Sequence, residues 1–392
     1  LPANLKTDQM KIAYDGKRAM RNYTGLGNYS RLILETMSEA YPANDHLVYV
    51  PEIRANPRLK TLLQRPNVAF RHPDRFWAWP KAVWRSWGVT KQARQEGAEV
   101  FHGLSNELPL NIHRSPIASV VTIHDVIYRR MPECYNRIDR TLYDLKYGYS
   151  VRHADRVIAI SEATKRDVME LYGVPEERIR VIRQGCSPIF SQTASPERRR
   201  EVRERYRLPH RFLLQVGTIE QRKNLETSIR ALSAMPDEIE LVAVGRGGRY
   251  LREMLELAEE VGVRRRLHIL KNVGFTDLPA LYQSAMAALY PSRYEGFGIP
   301  VLEALASGCP MVTSNTSSLP EAGGNAAFLI APDDIKAMIH AVHAISNNTP
   351  DIEARRRAGK AHAATFAAAD IASAIHTVYE EALASKAKKY SK

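Results

Sequence analysis

Two glutamates, Glu295 and Glu303, are separated by seven residues within the segment PSRYEGFGIPVLEALASG, which contains a glycine-rich turn. Gly296 and Gly298 lack a Cβ, so the backbone can approach a ligand closely there, and Pro300 is typical of the first turn of a helix. A helix that begins near Gly298 would point unpaired amides and the positive end of its dipole into the turn, where phosphate binds well. Glu303, about one turn further on, could accept hydrogen bonds from a pair of sugar hydroxyls. The segment therefore predicts a nucleotide-sugar site.

This segment resembles the signature of retaining glycosyltransferases of family 4, in which two glutamates are separated by seven residues in the form PS-x-x-EGFG-x-P-x-LEA. The resemblance implies that Glu295 and the amides of residues 296–299 hold the donor sugar and its diphosphate, whereas Glu303 holds the ribose. The residues of the turn in this assignment are Ser292, Gly296, Phe297, Gly298 and Ile299. The structural alternative is a loop and a helix whose glutamates merely face water.

Two cations in the sequence VGTIEQRKNL, Arg222 and Lys223, are candidates for binding the diphosphate. They follow an apolar segment and Gly217. Paired cations at the start of a helix can neutralise a diphosphate, most strongly when charge builds on the leaving group. Many family members carry arginine directly after this glycine, where the chain has Thr218. The resemblance assigns catalytic roles to Arg222 and Lys223, with Gly217 and Thr218 beside the donor. An exposed pair of cations is the alternative.

The sequence NYTGLGNY places Gly25 and Gly27 in front of a helix that is expected to begin near Asn28, after the first predicted strand. Such a loop lets backbone amides meet a diphosphate, although a plain tight turn could contain the same glycines. Its place after the first strand, as in the family, favours donor binding.

The sequence VVTIHD places His124 and Asp125 at the carboxyl end of a buried strand, where ligands bind in open parallel sheets. A lone core histidine is usually structural. The T-x-H-D pattern of the family nevertheless implies a catalytic position for His124 near the transferred sugar, with Asp125 orienting the histidine or the loop.

The segment KNVGFTDLPALYQSA resembles the part of the family that lies beside the nucleotide base, with Val273 and Gly274 offering backbone contacts and Leu278 a lid. No metal site is expected, because the chain contains no D-x-D sequence and His340 and His343 stand without a third ligand. The helix dipole and the paired cations would stabilise the negative charge of the diphosphate in place of a metal, which agrees with metal independence in the family. No cofactor is predicted besides the nucleoside diphosphate sugar that serves as substrate.

Short apolar segments rich in valine and isoleucine alternate with longer helical patterns, which predicts an α/β fold with parallel sheets covered by helices. The predicted strands cover residues 11–15, 46–50, 98–103, 116–125, 156–161, 178–183, 212–218, 239–245, 266–271, 287–292 and 310–315. The boundaries predict a Rossmann-like acceptor domain at residues 10–187, a Rossmann-like donor domain at 188–366, and a last helix with a tail at 367–392. By resemblance the two domains form a GT-B fold around a central cleft, and the last helix crosses back to the first domain.

At 392 residues, with 44% hydrophobic and 25% charged residues, the composition is that of a globular protein with two domains of ordinary size. Residues 1–9 have no apolar segment of a secretory signal, and Met10 looks like a natural start, so a loose or foreign tail is expected. Three widely spaced cysteines argue against disulfides and favour the cytoplasm.

The net charge of +13 is concentrated around residues 53–95, which also contain all four tryptophans. Tryptophans near helical spacing, flanked by cations, predict peripheral contact with an anionic membrane at the inner face. The residues assigned to this contact are Trp77, Trp84, Trp87, Lys81 and Arg85. The alternative is a helix whose tryptophans fill the core of the first domain.

Together the motifs predict a retaining, metal-independent glycosyltransferase that moves a hexose from a nucleoside diphosphate donor to a glycan or lipid-linked acceptor. The forms T-G-x-G-N-Y and R-K-N look most like bacterial mannosyltransferases of surface polysaccharide synthesis, which points to GDP-mannose or a GDP-deoxyhexose, with GDP-mannose favoured. A retaining glycosidase, with carboxyl groups about 5 Å apart, is disfavoured by the phosphate site beside the glutamates. A nucleotide-sugar epimerase of the same fold and a basic nucleic-acid binder are the alternatives, although no nucleic-acid motif accompanies the charge, so no nucleic-acid partner is expected.

Overall fold

The computed structural model describes residues 9–73, 80–347 and 350–390. The chain divides into two compact units, the first comprising Leu1–Gln184 and Ala368–Lys392 and the second comprising Gly185–Ala367. The first division lies three residues before the domain boundary expected from the sequence, and the second lies one residue after it.

The first unit contains the strands β1 (Lys11–Asp15), β2 (Asp45–Tyr49), β3 (Val68–Arg71), β4 (Val100–Gly103), β5 (Ala118–Ile123), β6 (Arg156–Ala159) and β7 (Ile179–Val181). In the part of the chain described, these seven form one parallel sheet in the order β3-β2-β1-β4-β5-β6-β7. All residues of β5 are buried, as is usual for a central strand of a parallel sheet, and this explains its largely apolar sequence.

The helices of the first unit are α1 (Lys17–Arg21), α2 (Gly25–Ala40), α3 (Lys60–Leu63), α4 (Lys81–Val83), α5 (Val89–Gln95), α6 (Ile127–Arg130), α7 (Arg137–His153), α8 (Glu162–Tyr172) and, at the end of the chain, α17 (Ala368–Tyr390). A π-helical turn, Trp84–Gly88, joins α4 to α5. Helix α17 packs against α2 and β5, and the Tyr379 hydroxyl lies 2.8 Å from Nδ1 of His102 on β4. The predicted return of the last helix to the first domain is confirmed.

The second unit contains the strands β8 (Arg211–Val216), β9 (Ile239–Val244), β10 (Leu267–Leu270), β11 (Ala287–Tyr290), β12 (Met311–Ser314) and β13 (Phe328–Ile330). Within the described residues, these six form a parallel sheet in the order β10-β9-β8-β11-β12-β13. Its helices are α9 (Pro196–Arg205), α10 (Leu225–Leu232), α11 (Arg249–Glu260), α12 (Leu278–Ser284), α13 (Ile299–Ala306), α14 (Leu319–Gly323), α15 (Ile335–Ser346) and α16 (Pro350–Ala364). The α/β fold with two Rossmann-like domains is confirmed.

Short 3₁₀ helices join these elements at Pro57–Leu59, Ile112–Arg114, Pro132–Cys134, Glu176–Arg178, Pro188–Ser191, Gln221–Lys223, Arg264–Arg266 and Phe275–Asp277. Among the described residues, no helix combines the length and the apolar character that crossing a membrane requires.

Both sheets reverse their strand order beside their first strand. Strand β1 lies between β2 and β4, and β8 lies between β9 and β11. In open parallel sheets, ligands bind at such a reversal, outside the carboxyl ends of the strands. In the second unit, the loops that follow β8 and β11 therefore meet, and these loops carry the predicted cations and the first predicted glutamate.

The structure adds two strands and shifts one helix relative to the sequence-based expectation. Strands β3 and β13, at the edges of the sheets, were missed. Helix α2 begins at Gly25 rather than near Asn28, because Thr24 is its N-cap residue and the two predicted loop glycines lie in its first turn.

Candidate functional site

Glu295 lies in a buried ion-pair cluster with the two cations predicted for the second domain. Nη1 of Arg222 lies 2.7 Å from Oε2 of Glu295, and Nζ of Lys223 bonds the other carboxylate oxygen. Arg222 also pairs with Glu220 at 2.6 Å, and Lys223 bonds the hydroxyl of Tyr290. The structure thus brings together residues that the sequence assigned to separate contacts with the sugar and the diphosphate.

The strand order explains why these residues meet. Arg222 and Lys223 end a 3₁₀ helix that follows β8, and Asn224 adopts a left-handed backbone, with φ of 55°, before α10 begins. Glu295 follows β11, which is the neighbour of β8 in the sheet. The two cations therefore lie in the 3₁₀ helix that precedes α10, rather than at the start of the α-helix that the sequence predicted.

The charges of this cluster compensate one another. Burial alone would raise the pKa of Glu295, but the charges of Lys223 and Arg222 outweigh burial and hold this pKa at about 2. Burial lowers the pKa of Lys223 even though Glu295 opposes the shift. For Arg222, burial would lower the pKa, but Glu295 and Glu220 outweigh it and raise the pKa. Glu295 is therefore ionised near neutral pH, which suits a hydrogen-bond acceptor and not a proton donor.

The glycine turn after Glu295 leads into α13, as predicted. Gly298 has a φ of 114° and immediately precedes the helix. A Cβ on Gly298 would lie 2.8 Å from the side chain of Leu319, so both conformation and space require glycine here. The hydroxyl of Ser318 donates to the carbonyls of Glu295 and Phe297, each at 2.9 Å. The turn is thus fixed by its neighbours.

Gly217 borders the cluster from the loop after β8. Its φ is 146°, and a Cβ on this residue would lie 3.9 Å from Cε of Lys223. Thr218, the next residue, is exposed. Among the other predicted residues of the glycine turn, Ser292, Gly296 and Phe297 are buried and Ile299 is half-buried. These predicted donor contacts lie in the two loops at the strand-order reversal of the second sheet, except Ile299, which is the first residue of α13.

Glu303 lies on the buried face of α13, and its surroundings differ from those of Glu295. The hydroxyl of Tyr282 on α12 donates to Oε2 of Glu303 at 3.2 Å. Burial raises the pKa of Glu303 to about 7, and the hydrogen bond from Tyr282 opposes only part of this shift. One glutamate is therefore held ionised, whereas the other is balanced between its two forms near neutral pH, a contrast that is common at functional sites.

The loop predicted to contact the base lies between β10 and α12. Val273 is half-buried and Gly274 is exposed, while Leu278 is the first residue of α12. The amide of Gly274 already donates to the hydroxyl of Tyr206 at 3.1 Å, which counts against a base contact through that amide. The contacts through Val273 and Leu278 stay predictions.

Gly25 and Gly27 occupy the first turn of α2 in the first unit. A Cβ on Gly27 would lie 1.9 Å from the carbonyl oxygen of Asn22, so close packing requires this glycine. A Cβ on Gly25 would meet no described atom within 4 Å, and this position leaves room for a ligand. The structure therefore gives Gly27 a packing role and makes Gly25 the better candidate for donor contact.

His124 is buried just after β5, with its ring edge-on to Tyr29 of α2 at 4.5 Å between ring centroids. Its Nε2 lies 2.9 Å from the carbonyl oxygen of Leu104, which can only accept, so Nε2 carries the proton and Nδ1 is an acceptor. Burial lowers the pKa of His124 to about 4, so the ring is neutral near pH 7. Asp125 accepts from the amide of Ile127 at 3.2 Å and therefore shapes the loop, one of its two predicted roles.

The segment predicted to contact a membrane is partly used inside the first unit. Trp84 is 1% exposed, and its Nε1 donates to Gln92 at 3.1 Å. Arg85 is ion-paired with Asp15, at 3.3 Å, and with Glu107. Membrane contact is therefore wrong for Trp84, which fills the core, and for Arg85, whose charge is neutralised by two carboxylates.

The other residues of that prediction have different outcomes. Trp77 lies outside the described residues. Trp87 is 47% exposed, and Lys81 is exposed and pairs with Glu52 at 2.8 Å. Membrane contact through Trp87 and Lys81 stays a prediction.

Sequence reasoning missed several residues that shape the site. Glu220 pairs with Arg222, and the hydroxyl of Tyr290 bonds Lys223. The hydroxyl of Tyr282 donates to Glu303. The hydroxyl of Ser317 accepts from the amide of Glu295 at 2.9 Å. Only Glu220, two residues before Arg222, had a local signal. In the described parts of the chain, no group of three His, Cys, Asp or Glu side chains could hold a metal ion.

Two protein families match the chain in succession. Glycosyltransferase Family 4 matches residues 32–188, and Glycosyl transferases group 1 matches residues 198–364. The first match lies almost wholly in the first unit and the second in the second unit.

Related proteins include bacterial transferases. O-antigen chain mannosyltransferase B of Escherichia coli is 28% identical over 356 residues, which are 84% of this chain and 88% of the relative. Serotype-specific mannosyltransferase WbdA of Escherichia coli is 32% identical over 278 residues, which are 68% of this chain. The chain spans only 33% of the length of that second relative.

Solved structures match both units. Anabaena Alr3699/HepE in complex with UDP and glucose has a TM-score of 0.74 at 19% identity, covering 94% of this chain and 99% of that one. WaaG, a glycosyltransferase involved in lipopolysaccharide biosynthesis, has a TM-score of 0.64 at 20% identity, with 91% and 95% covered. At these identities the likeness shows the fold, and it confirms the predicted GT-B class.

Proposed function

The chain belongs to the family 4 glycosyltransferases, with a group 1 domain as its second half, and we propose that it transfers mannose from a nucleoside diphosphate donor, with GDP-mannose favoured. The acceptor is a glycan or a lipid-linked glycan of a bacterial surface polysaccharide, assembled on the cytoplasmic side. Transfer retains the anomeric configuration and needs no metal. The names of the relatives, O-antigen chain and serotype-specific mannosyltransferases, support the choice of mannose.

The buried cluster of Glu295, Arg222 and Lys223 is the observation that carries this proposal. A donor diphosphate beside the two cations would share them with the carboxylate. Their attraction to the diphosphate would grow as the bond to the sugar breaks and charge builds on the departing phosphate. Glu295 would then accept hydrogen bonds from hydroxyls of the sugar. One cluster can thus bind both the sugar and the diphosphate, the two groups joined by the bond that breaks.

The same pairing disfavours a covalent glycosyl-enzyme intermediate. A carboxylate whose pKa is about 2 and which is bonded to two cations is a weak nucleophile. Retention then requires the acceptor hydroxyl to attack on the face from which the phosphate departs. A bond forms between the acceptor oxygen and the anomeric carbon, the bond from that carbon to the phosphate oxygen breaks, and the hydroxyl proton passes to the departing phosphate.

Two further residues would position the donor. Glu303, in its ionised form, would accept hydrogen bonds from the ribose hydroxyls, and the pKa of about 7 makes this form available near neutral pH. His124 is neutral and has Nδ1 as an acceptor, so it would accept a hydrogen bond from a hydroxyl of the transferred sugar. Both roles are hydrogen-bonding roles and neither needs a proton transfer.

A panel of nucleotide sugars tests the proposal, with released nucleoside diphosphate and the anomeric configuration of the product as readouts. We expect GDP-mannose to be consumed with a mannose-terminated acceptor, the product to keep the donor configuration, and Arg222→Ala to lose activity. Arg249→Ala, which removes an arginine that is 87% exposed on α11, is the matched control.

Each outcome of this panel is distinct. Consumption of another donor would contradict mannose but keep the transferase, whereas an inverted product would contradict the retaining mechanism. Conversion of the donor sugar to its epimer without release of nucleoside diphosphate would identify an epimerase instead.

A further inference from the structure

A basic pocket lies in the second unit at the opposite end of α13 from the ion-pair cluster. Its volume is about 300 Å³, and its walls come from residues 191–193, from residues 306–308 at the end of α13, and from one face of α16. The charged residues that line it are Arg199, Arg356, Arg357, Lys360 and Glu353. Since α13 spans eight residues, its two ends are about 12 Å apart along the axis. The pocket is therefore separate from the proposed donor site.

Within the described parts of the chain, one of the four cations of the pocket has an acidic partner. Nε of Arg356 lies 3.2 Å from Oε1 of Glu353, and Nη1 of Arg356 donates to the carbonyl of Gly308 at 2.7 Å. Arg356 thereby also covers the negative end of the helix dipole, which would otherwise repel an anion. Among the described residues, the side chains of Arg199, Arg357 and Lys360 have no hydrogen-bond or ion-pair partner. Three positive charges are left to face one concave surface.

Neighbouring residues hold the walls of this pocket in place. Gln283 of α12 donates from Nε2 to the carbonyl of Gln192 at 2.8 Å and so fixes the loop at residues 191–193. Gly308 has a φ of 73°, and a Cβ there would lie 2.7 Å from Cε of Lys360. Glycine therefore lets the stem of Lys360 lie across the end of α13.

We propose that this pocket is a second anion-binding site, specific for a pyrophosphate or a phosphorylated sugar. Three unpaired cations match a group with two or more negative charges, and guanidinium groups bind phosphate oxygens in pairs. The pocket also contains the hydroxyl of Thr193, which can donate to a remaining oxygen, whereas the hydroxyl of Ser307 already donates to the carbonyl of Phe190. The phosphate can belong to a soluble molecule or to a lipid headgroup, and the two sources share this chemistry.

Titration calorimetry with inorganic pyrophosphate tests the site, in the presence of whichever nucleoside diphosphate saturates the donor site. We expect saturable binding of one equivalent by the wild type. In the combined variant Arg199→Gln, Arg357→Gln and Lys360→Gln, the affinity should fall by at least about tenfold, because bonds from charged groups are lost. The matched control is Arg252→Gln, Arg265→Gln and Lys336→Gln, three exposed cations of the same unit outside the pocket. Thermal unfolding verifies that both variants fold.

The absence of saturable binding by the wild type would overturn the proposal, and so would equal affinities of the pocket variant and the control. Donor turnover is measured in parallel, so a failure of the proposed transferase function is seen separately. Flotation with phosphatidic acid vesicles, whose headgroup is a phosphate monoester, against phosphatidylcholine vesicles, then identifies the source of the phosphate. Flotation that the pocket variant loses and the control keeps assigns a lipid headgroup, whereas pyrophosphate binding without flotation assigns a soluble ligand.

Discussion

Nη1 of Arg222 lies 2.7 Å from Oε2 of Glu295, so a cation expected at a diphosphate and a carboxylate expected at a sugar are partners in one buried cluster. Removal of one member of a buried ion pair leaves the other charge without compensation. A substitution at either position will therefore affect stability as well as function. Binding, turnover and unfolding have to be measured separately to distinguish these effects.

Arg222→Ala and Lys223→Ala should each cost about 2–4 kcal/mol of transition-state stabilisation, measured as the fall in kcat/KM, because in the proposed mechanism both cations face the charge that builds on the leaving phosphate. Steady-state kinetics with the preferred donor provide the measurement, and Arg249→Ala is the control with an exposed side chain. If both variants lose less than tenfold in kcat/KM, the cations do not have this role.

Glu295→Ala should lower turnover more than donor binding, because its proposed contact is with the reacting sugar. The substitution also releases Arg222 and Lys223 from their carboxylate partner, so the affinity for the nucleoside diphosphate should be kept or increased. Calorimetry gives the affinity and initial rates give kcat. Weaker nucleotide binding at unchanged kcat would contradict the assignment.

The local backbone of the site could be predicted from the sequence, whereas its charge partners could not. Gly298 and Pro300 identify the start of α13 because the conformational limits of glycine and proline are local properties. The pairing of Glu295 with Arg222 depends on β8 and β11 being neighbours, and that strand order is set by the whole sheet. The sequence motifs therefore identified Glu295 and Arg222 as site residues but not the ion pair between them.

The missed elements have similar physical reasons. Strands β3 and β13 contain four and three residues, and their sequences VAFR and FLI do not alternate apolar and polar residues as Ile179–Val181 of the predicted edge strand β7 does. The π-helical turn that begins at Trp84 breaks the 3.6-residue spacing on which a shared face with Trp87 was predicted. Trp84 is therefore buried while Trp87 is exposed.

This difference between the two tryptophans can be measured. Trp84→Ala should lower the free energy of unfolding by about 3–5 kcal/mol, because a large core side chain is lost and leaves a cavity. Trp87→Ala, at a position 47% exposed, should change it by no more than about 0.5 kcal/mol. Urea unfolding followed by tryptophan fluorescence and circular dichroism compares the two. Equal losses of stability would contradict the burial of Trp84.

Turnover should be unchanged by EDTA if, as proposed, Arg222 and Lys223 supply the positive charge that a metal would provide. The protein is dialysed against the chelator, and the initial rate is measured with and without added Mn²⁺ or Mg²⁺. Activity that disappears with the chelator and returns with Mn²⁺ would show that the mechanism depends on a metal.

The ionisation of Glu303 should make folding stability depend on pH. Its pKa is about 7 in the folded protein against 4.5 for an ordinary glutamate, so the folded state holds this proton more tightly than the unfolded chain. The free energy of unfolding should therefore fall by about 3 kcal/mol as pH rises from below 4.5 to above 7. Glu303→Gln removes this titration, and the variant should be more stable than the wild type at pH 8. Glu256→Gln, on the exposed face of α11, is the control. Urea unfolding at pH 6 and pH 8 covers the upper part of this range, over which the free energy of unfolding of the wild type should fall by about 1 kcal/mol more than that of Glu303→Gln.

Donor binding should follow the opposite pH dependence if Glu303 holds the ribose. The ribose hydroxyls donate, so the ionised carboxylate is the better acceptor, and this form is populated only as pH rises through about 7. The affinity for the nucleoside diphosphate, measured by calorimetry, should therefore increase between pH 6 and pH 8 in the wild type and in Glu256→Gln. In Glu303→Gln the affinity should be weaker and nearly independent of pH over this range. The same pH dependence in Glu303→Gln and the wild type would remove Glu303 from the ribose site, whatever its effect on stability.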